Sequence, residues 1–510
     1  MTTSARAEVV FGPYAAKEKI PFLKGGLFCC NPALSCYNSR DRKKDEFFMA
    51  ERTLASNKMG TQPVGKLLFT MALPLVISML VQALYNVVDS IYVAQYSQNA
   101  VTALSLAFPI QNLQIGFSTG IAVGMNSLLS KSLGEGNREK ANRAAGNGIF
   151  LMLIAVAVFM LFGFFGAGSY YNMQDIGEVT RKAGTEYTAI CCIFTLGIFV
   201  EIMGERLLQA SGRTVYTLFT QGVGAVVNIV LDPVFIFGVE SLGIPSMGAA
   251  GAAVATVIGQ WVAGIMAVIF NLTKNKDVTF RLRYLRPRKA VVTPILAVGI
   301  PSIIMMAIGS VMNFGMNQIF LGFAGIGETA SGVFGIYFKL QSFFLMPLFG
   351  MNNASISILA YNYGARKPQR ITGTLKCALL AALGIMTAGV LVFQFAPRLL
   401  MGIFATEGEN SEVFLSLGIS ALRTVSWHFP LAAIGIVLGA SFQALGNGIY
   451  STITSLCRQL VVLLPAAYFL SLTGDVHAVW WSFPIAEVVS VVVTVLLFAR
   501  IYKQKIKPLE

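Results

Sequence analysis

The sequence predicts an all-α integral membrane protein: twelve transmembrane helices in two six-helix lobes, related by a pseudo-two-fold axis along the membrane normal. Three observations carry that prediction. The chain is too apolar for a water-soluble fold, its basic residues alternate from loop to loop, and its second half repeats the first.

The first observation is compositional. Of 510 residues, 55% are hydrophobic and 12% are charged, and the mean hydropathy is +0.67, whereas a soluble globular chain carries roughly 25% charged residues. Water is therefore not the main solvent. A helix crossing a bilayer needs about 20 mostly apolar residues. Runs of that kind fall near 67–95, 104–131, 143–168, 184–210, 215–239, 248–272, 290–321, 329–361, 371–396, 412–442, 449–472 and 477–501.

The second observation is where the charge lies. A net charge of +14 could signal nucleic acid, but the basic residues sit in alternate connections instead. They crowd the loop after the second span (Lys131, Arg138, Lys140, Arg143) and the loop after the sixth (Lys274, Lys276, Arg281, Arg283, Arg286, Arg288, Lys289). They recur after the eighth span (Arg366, Lys367, Arg370) and in the tail (Arg500, Lys503, Lys505, Lys507). Opposite loops hold Glu240, Glu328, the Glu407/Glu409/Glu412 cluster and Asp475. The positive-inside rule then places both termini in the cytoplasm, which requires an even number of spans and agrees with twelve. Residues 1–60 read as a flexible cytoplasmic extension, since they lack the apolar core of a secretory signal. The expected division is an N-lobe over 61–273, a basic cytoplasmic linker over 274–289, a C-lobe over 290–502 and a basic cytoplasmic tail over 503–510.

The third observation is duplication. Leu73-Pro74 in the first span answers Ile300-Pro301 in the seventh, and Asn86 answers Asn313, both at an offset of 227. Gly134 in Leu133-Gly134-Glu135-Gly136 answers Gly364 in Tyr363-Gly364-Ala365-Arg366 at 230, and Gln209-Ala210-Ser211-Gly212 answers Gln443-Ala444-Leu445-Gly446 at 234. Six spans per copy is even, so the copies enter the membrane in one orientation and face each other across a cleft. Transporters of this plan bind near the midplane and rock one half against the other, with 274–289 as the connection that lets them move.

Other patterns are read as packing. The seven cysteines imply no disulfide framework, and Cys29, Cys30 and Cys36 lack the partners of a zinc site. Gly116, Gly120 and Gly124 form a smooth stripe on the second span where another helix can approach. The same stretch spells the Gly-x-Ser-x-Gly of a hydrolase elbow at Ser118. That motif needs a strand-turn-helix setting, and the histidines are only His428 and His477, so hydrolase chemistry is not expected.

Acids at membrane depth are different, because an Asp at the bilayer centre costs about 2.5–3.5 kcal/mol on insertion scales. Asp89 lies deep in the first span, and Asp232 lies in the fifth, four residues after Asn228 and therefore on its helical face. Pro233 and Pro74 each remove a helical hydrogen bond, freeing the carbonyls of Ile229 and Thr70 and marking hinge positions. Two carboxylates close together can share a proton, and carboxylate, amide and carbonyl oxygens equally suit Na⁺. Both uses stay open. The second half has no counterpart, since Asp89 falls opposite Met316 and Asp232 opposite Ala466. Among other ionisable residues, Glu201 and Glu205 share a face at the cytoplasmic end of the fourth span, where an interfacial role competes with a cargo role. Lys339 and Glu487 are expected to pair or to line a C-lobe cavity, and Arg458 is the remaining charge at depth.

These residues resemble the multidrug and toxic compound extrusion (MATE) family, in its MepA-like branch, over residues 57–502. The resemblance rests on Leu84-Tyr85-Asn86-Val87-Val88-Asp89, on Asn228 through Asp232-Pro233-Val234-Phe235-Ile236-Phe237, on Gly251-Ala252-Ala253-Val254-Ala255-Thr256 and on Tyr361-Asn362-Tyr363-Gly364-Ala365. It implies a multidrug efflux antiporter of the bacterial inner membrane rather than an enzyme. Such a protein would export cationic amphipathic drugs or toxins by alternating access in exchange for H⁺ or Na⁺. It further implies a coupling site at Asp89, Asn228, Asp232 and Thr256, no cofactor and no metal beyond Na⁺ at that site, lipid but no nucleic acid as partner, and a monomer. Relatives with acids in the seventh and tenth spans differ from this chain. A flippase for lipid-linked oligosaccharides is the alternative on the same architecture, and it would want more than Lys339 and Arg458 in the cleft.

Overall fold

In a computed structural model, residues 57–510 are described except 175, 240, 242 and 405–410. The readings on 1–56, including Cys29, Cys30 and Cys36, and on Glu240, Glu407 and Glu409 lie outside the described residues. The described chain is helical, and twelve spans follow the expected order. The first half holds α1 (Val64–Tyr96), α2 (Gln98–Gly134), α3 (Arg138–Leu161, continuing through a π-helical turn to Asn172), α4 (Glu178–Ile193 and Leu196–Ala210), α5 (Thr214–Phe237) and α6 (Ala249–Thr273). The second half holds α7 (Lys289–Leu321), α8 (Gly327–Gly364), α9 (Pro368–Phe395), α10 (Ser411–Ser426 and Phe429–Ala444), α11 (Gly448–Leu456, through a π-helical stretch Cys457–Leu463, to Leu464–Ser471) and α12 (Ser482–Ile501).

Two spans are less regular than their hydropathy suggests. α4 bends by 46° and α10 by 49°, at equivalent breaks near Phe194-Thr195 and Trp427-His428. The α4 break has no proline, whereas Pro430 opens the second segment of α10, and a glutamine serves the irregular backbone or its side chains in each half. Gln114 donates to the Cys191 carbonyl and the Thr195 hydroxyl, both at 3.2 Å. Gln394 donates to the Arg423 carbonyl at 2.8 Å and the Ser426 hydroxyl at 3.0 Å. A bend in an apolar environment persists only when its freed backbone groups find such partners. By contrast α1 and α5 run unbroken through Pro74 and Pro233. The loosened hydrogen bonding there produces no interruption of helix.

The duplication extends to individual hydrogen bonds. After α2 and α8 the chain turns with Asn137 N to Ser132 O and Lys367 N to Asn362 O, each 3.0 Å. After α4 and α10 it turns with Arg213 N to Leu208 O at 2.8 Å and Asn447 N to Phe442 O at 2.7 Å. Each pair closes through a residue of positive φ, Gly136 with Arg366 and Gly212 with Gly446, as helix C-termini of this type require.

The halves meet through small residues at the end of the bundle that carries these basic turns. α2 packs on α7 and α1 on α8. A Cβ on Gly120 would lie 2.8 Å from the Gly299 carbonyl, one on Gly124 would run into the Ile295 carbonyl, and the equivalent Gly350 would place one 2.7 Å from the Val76 amide. Gly134 and Gly364 do the same to each other's helices, at the Tyr361 and Lys131 carbonyls. The glycine stripe is therefore the seam between repeats, which is the close helix approach that its spacing predicted. Ser127 donates to the Gln443 carbonyl at 2.8 Å and Ser357 to Asn126 at 3.2 Å, satisfying polar groups along the seam.

Two connections are tied down. The start of the described chain, a one-turn helix Lys58–Thr61, docks on the second half: the Met59 carbonyl accepts from Asn362 (3.1 Å) and Arg370 (3.0 Å). The segment after α6 is not a free tether either. The Asn147 side chain donates to the Tyr284 and Arg286 carbonyls (2.9 and 3.2 Å) and accepts from the Arg288 amide (2.9 Å). Asn142 accepts from the Thr279 amide at 2.8 Å. These bonds fasten the connection to α3.

Candidate functional site

The interiors of the two halves differ. In the second half the space between α7, α8, α9, α10 and the start of α12 is filled with rings: Phe320 lies 4.4 Å from Trp480 between centroids, Phe393 5.2 Å from Phe429 and Tyr337 5.6 Å from Phe483. In the first half, α1, α2, α4, α5 and α6 enclose a cavity of about 570 Å³.

Four of the expected site residues come together there. Asp89 on α1, Asn228 on α5 and Thr256 on α6 line the cavity, and Asp232 sits one turn beyond Asn228, fully buried. The Asn228 amide donates to Asp232 Oδ1 at 3.1 Å and to Thr256 Oγ1 at 3.4 Å. α6 comes close enough because Gly259 faces Asn228, where a side chain would stand 3.2 Å from the Asn228 Cβ. Asp89 is within electrostatic reach of Asp232.

Three oxygens are left over. Asp89 Oδ1, Asp232 Oδ2 and Asn228 Oδ1 are buried and have no hydrogen-bond partner among the described residues. All three are acceptors when the acids are ionised, and the Asn228 amide is already shared between Asp232 and Thr256. Leaving such groups unmet is costly in a low-dielectric interior. The arrangement lacks a positive charge, which a proton on one carboxyl or a small hard cation between the oxygens would supply.

The cavity is more polar than the acids alone indicate. Gln82, Tyr85, Asn86 and Asp89 recur at helical spacing on α1, as do Gln221 and Asn228 on α5, with Gln260 one turn after Thr256 on α6. The signal was in the sequence as a polar stripe on otherwise apolar spans, but attention to acids alone passes over it. Glu201 also lines the cavity, so its side chain lies on the interior face of α4. Its neighbour Glu205 is occupied, accepting from Thr220 at 2.7 Å and Gln221 at 3.2 Å. Glu201 has no hydrogen bond or ion pair with any described residue, and Tyr85 lies within electrostatic reach of Glu201, Asp89 and Asp232 together.

In the second half the expected partnership of Lys339 with Glu487 does not form. Glu487, 4% exposed, faces Arg458 at 3.7 Å, while Lys339 is exposed on α8. Helix faces explain the correction: Lys339 lies on the exposed side of α8 between buried Tyr337 and Leu340, while the stretch of α11 that carries Arg458 packs against α12. Tyr337 OH is buried beside this pair without a hydrogen-bond partner among the described residues, and His428 contacts Gln341 at 3.2 Å. Replacing Arg458 with Met strands a buried carboxylate, whereas Glu487→Gln does not. We expect Arg458→Met to cost up to about 3 kcal/mol, at the low end for a broken buried pair because Arg458 is partly exposed. Glu487→Gln should cost clearly less; equal melting-temperature losses for the two purified variants would refute this reading of the cluster.

Comparison with known proteins fits this geometry. The MatE family model matches residues 74–234 and 301–469, one match in each half. The chain belongs to the MATE family. Its members are transporters, so the Gly-x-Ser-x-Gly stretch is helix-packing sequence and not an enzyme's elbow. MATE relatives include the multidrug export protein MepA of Staphylococcus haemolyticus, 24% identical over 84% of this chain and 91% of that protein. They also include an FAD transporter of Shewanella oneidensis, 23% identical over 86% and 95%, and a probable multidrug resistance protein, YoeA, of Bacillus subtilis, 24% identical over 89% and 98%. Among solved structures, MATE in complex with MaL6 superposes with a TM-score of 0.82 at 25% identity. A multidrug resistance MATE transporter in its outward-facing conformation superposes with a TM-score of 0.81 at 26% identity. Each alignment covers 89% of this chain and 98% of the other.

Proposed function

We propose that this MATE transporter exports amphipathic cations across the bacterial inner membrane in exchange for H⁺ or Na⁺, by alternating access of the two six-helix lobes. The observation that carries the reading is the set of three buried, donorless oxygens on Asp89, Asn228 and Asp232, the first two residues lining a cavity whose polar stripe is interleaved with apolar groups such as Phe108 and Ile198. Asp89, Asn228, Asp232 and Thr256 form the coupling site, and occupancy by the ion favours one arrangement of the lobes while cargo favours the other. Taking the basic end as cytoplasmic, the seam of glycines closes the inside and the cavity serves the outside, in keeping with the outward-facing relative. The loosened backbone at Pro74 and Pro233 gives α1 and α5 places to flex.

Glu201 has a separate task in this scheme, holding the cationic head of the cargo. By helical rise, α5 carries Asp232 roughly 16 Å further from the basic end than Gln221, which shares Glu201's wall of the cavity. Ion and cargo thus have different carboxylates. The rival flippase reading has little to hold an anionic pyrophosphate, because Arg458 is committed to Glu487.

The deciding measurement is export of a lipophilic cation from proteoliposomes under an imposed pH gradient and then under an imposed Na⁺ gradient. Stimulation by one of them identifies the coupling ion. If neither gradient drives export, while a labelled lipid-linked sugar crosses the bilayer, the flippase reading replaces antiport.

A further inference from the structure

A second concavity, of about 210 Å³, lies on the first half near the basic end and plays no part in the scheme above. It is walled by Ile149 and Met152 of α3, Val200, Met203 and Leu207 of α4, Val268 and Leu272 of α6, and Phe280 of the connection to α7. Its one polar lining side chain, Asn271, is already committed. The amide donates to the Gly204 and Ala267 carbonyls, each at 2.8 Å, and its oxygen accepts from Asn275 at 3.0 Å. A site with no polar group to offer suits a hydrocarbon and not water.

The rim has the opposite character. Residues 274–289 carry seven basic side chains and one acid, Asp277. That acid is spent on Arg213 at 3.4 Å. Lys274, Lys276 and Arg281 are exposed on the segment between and just beyond the lining residues Leu272 and Phe280, without an acidic partner among the described residues. Beside them Phe280 and Leu282 point outward, 36% and 84% exposed, an arrangement suited to the headgroup–acyl boundary. Leu207 and Leu272 stand in the last turns of α4 and α6, and Val200 lies roughly 10 Å further in than Leu207 by helical rise.

From the dry groove and the uncompensated cations at its mouth, we infer that this is a binding site for one anionic phospholipid, with an acyl chain between α3, α4 and α6 and the phosphate against Lys274, Lys276 and Arg281. Basic pockets between helices on the cytoplasmic side are suited to acidic headgroups. The lipid covers the same connection that Asn142 and Asn147 fasten to α3, so it holds the crossing between the lobes against the first of them.

The test uses the full chain in detergent, titrated with phosphatidylglycerol or phosphatidylcholine, with bound lipid counted by native mass spectrometry. Wild type should retain phosphatidylglycerol in preference. Lys276→Gln with Arg281→Gln should weaken that retention by about five-fold per charge removed. Val268→Trp, which fills the groove from an exposed position, should weaken it with all the charges in place. Arg500→Gln with Lys503→Gln, in the other basic patch, should leave it unchanged. Equal retention of the two lipids by wild type overturns the proposal. So does loss in the charge variant with none in Val268→Trp, which would mean headgroup adsorption without a seated chain.

Discussion

Asp232→Asn and Asp89→Asn should each uncouple transport while leaving the fold intact. Asparagine matches aspartate in size, and at 232 it can still meet the Asn228 amide that now lies 3.1 Å from Oδ1. What it cannot do is carry the negative charge that draws a proton or Na⁺ into a buried site. Each ion exchanged under a tenfold gradient supplies about 1.4 kcal/mol, enough to hold a tenfold cargo gradient. A one-for-one exchange with a monovalent cargo moves no net charge, so the membrane potential contributes nothing and the ion gradient is the whole drive. In the variants the accumulation ratio should fall toward one whatever gradient is imposed. Binding of a fluorescent cation should persist in both. Glu201→Gln should show the converse, with cation binding weakened and the response to ion gradients retained for a neutral cargo. Either Asp variant accumulating cargo as wild type does would remove that residue from the coupling site.

The second large effect is expected at the seam. Gly124 abuts the Ile295 backbone so closely that even a methyl group collides with its carbonyl. No rotamer change relieves a clash with backbone, so α2 and α7 must separate. Overpacking costs about 1–3 kcal/mol where side chains can yield, and a backbone collision belongs at or above the upper end. Gly124→Leu should therefore drive the basic ends of the lobes apart and depopulate the arrangement described here. Spin labels at Arg138→Cys and Gln369→Cys, both exposed on equivalent turns, report the separation in a background with the native cysteines replaced. An unchanged distance distribution would mean that the seam does not govern the closed end. Gly65, which has open space around it, serves as the neutral control.

Much of this was legible from residues alone, for identifiable reasons. Hydropathy gave the spans because bilayer thickness imposes a length, and the offsets of 227, 230 and 234 gave the repeat because both copies kept their turn residues. Asp89 and Asp232 stood out because charge at depth is costly. Thr256 was reachable only through family resemblance, since a threonine in an apolar span carries no signal of its own. Glu201 was seen and left between two roles, because position along a helix does not say whether its face turns to the membrane boundary or to a cavity. The partner of Glu487 was misjudged because spacing along a chain does not say which face of α8 turns outward, and Lys339 lies on that face, while Arg458 comes from the stretch of α11 packed on α12.

The sequence by itself determined the membrane fold, the duplication and the confinement of paired acids to the first half, since each depends on residue type and spacing along one chain. Only the tertiary structure decided that three oxygens from two helices are buried without a donor at and just behind one cavity wall, that Glu201 lines that cavity, and that glycines of α2 meet the backbone of α7. Those facts depend on which helix faces lie opposite one another. That choice is made by packing between segments more than a hundred residues apart, where side-chain volume and backbone approach carry information that periodicity does not.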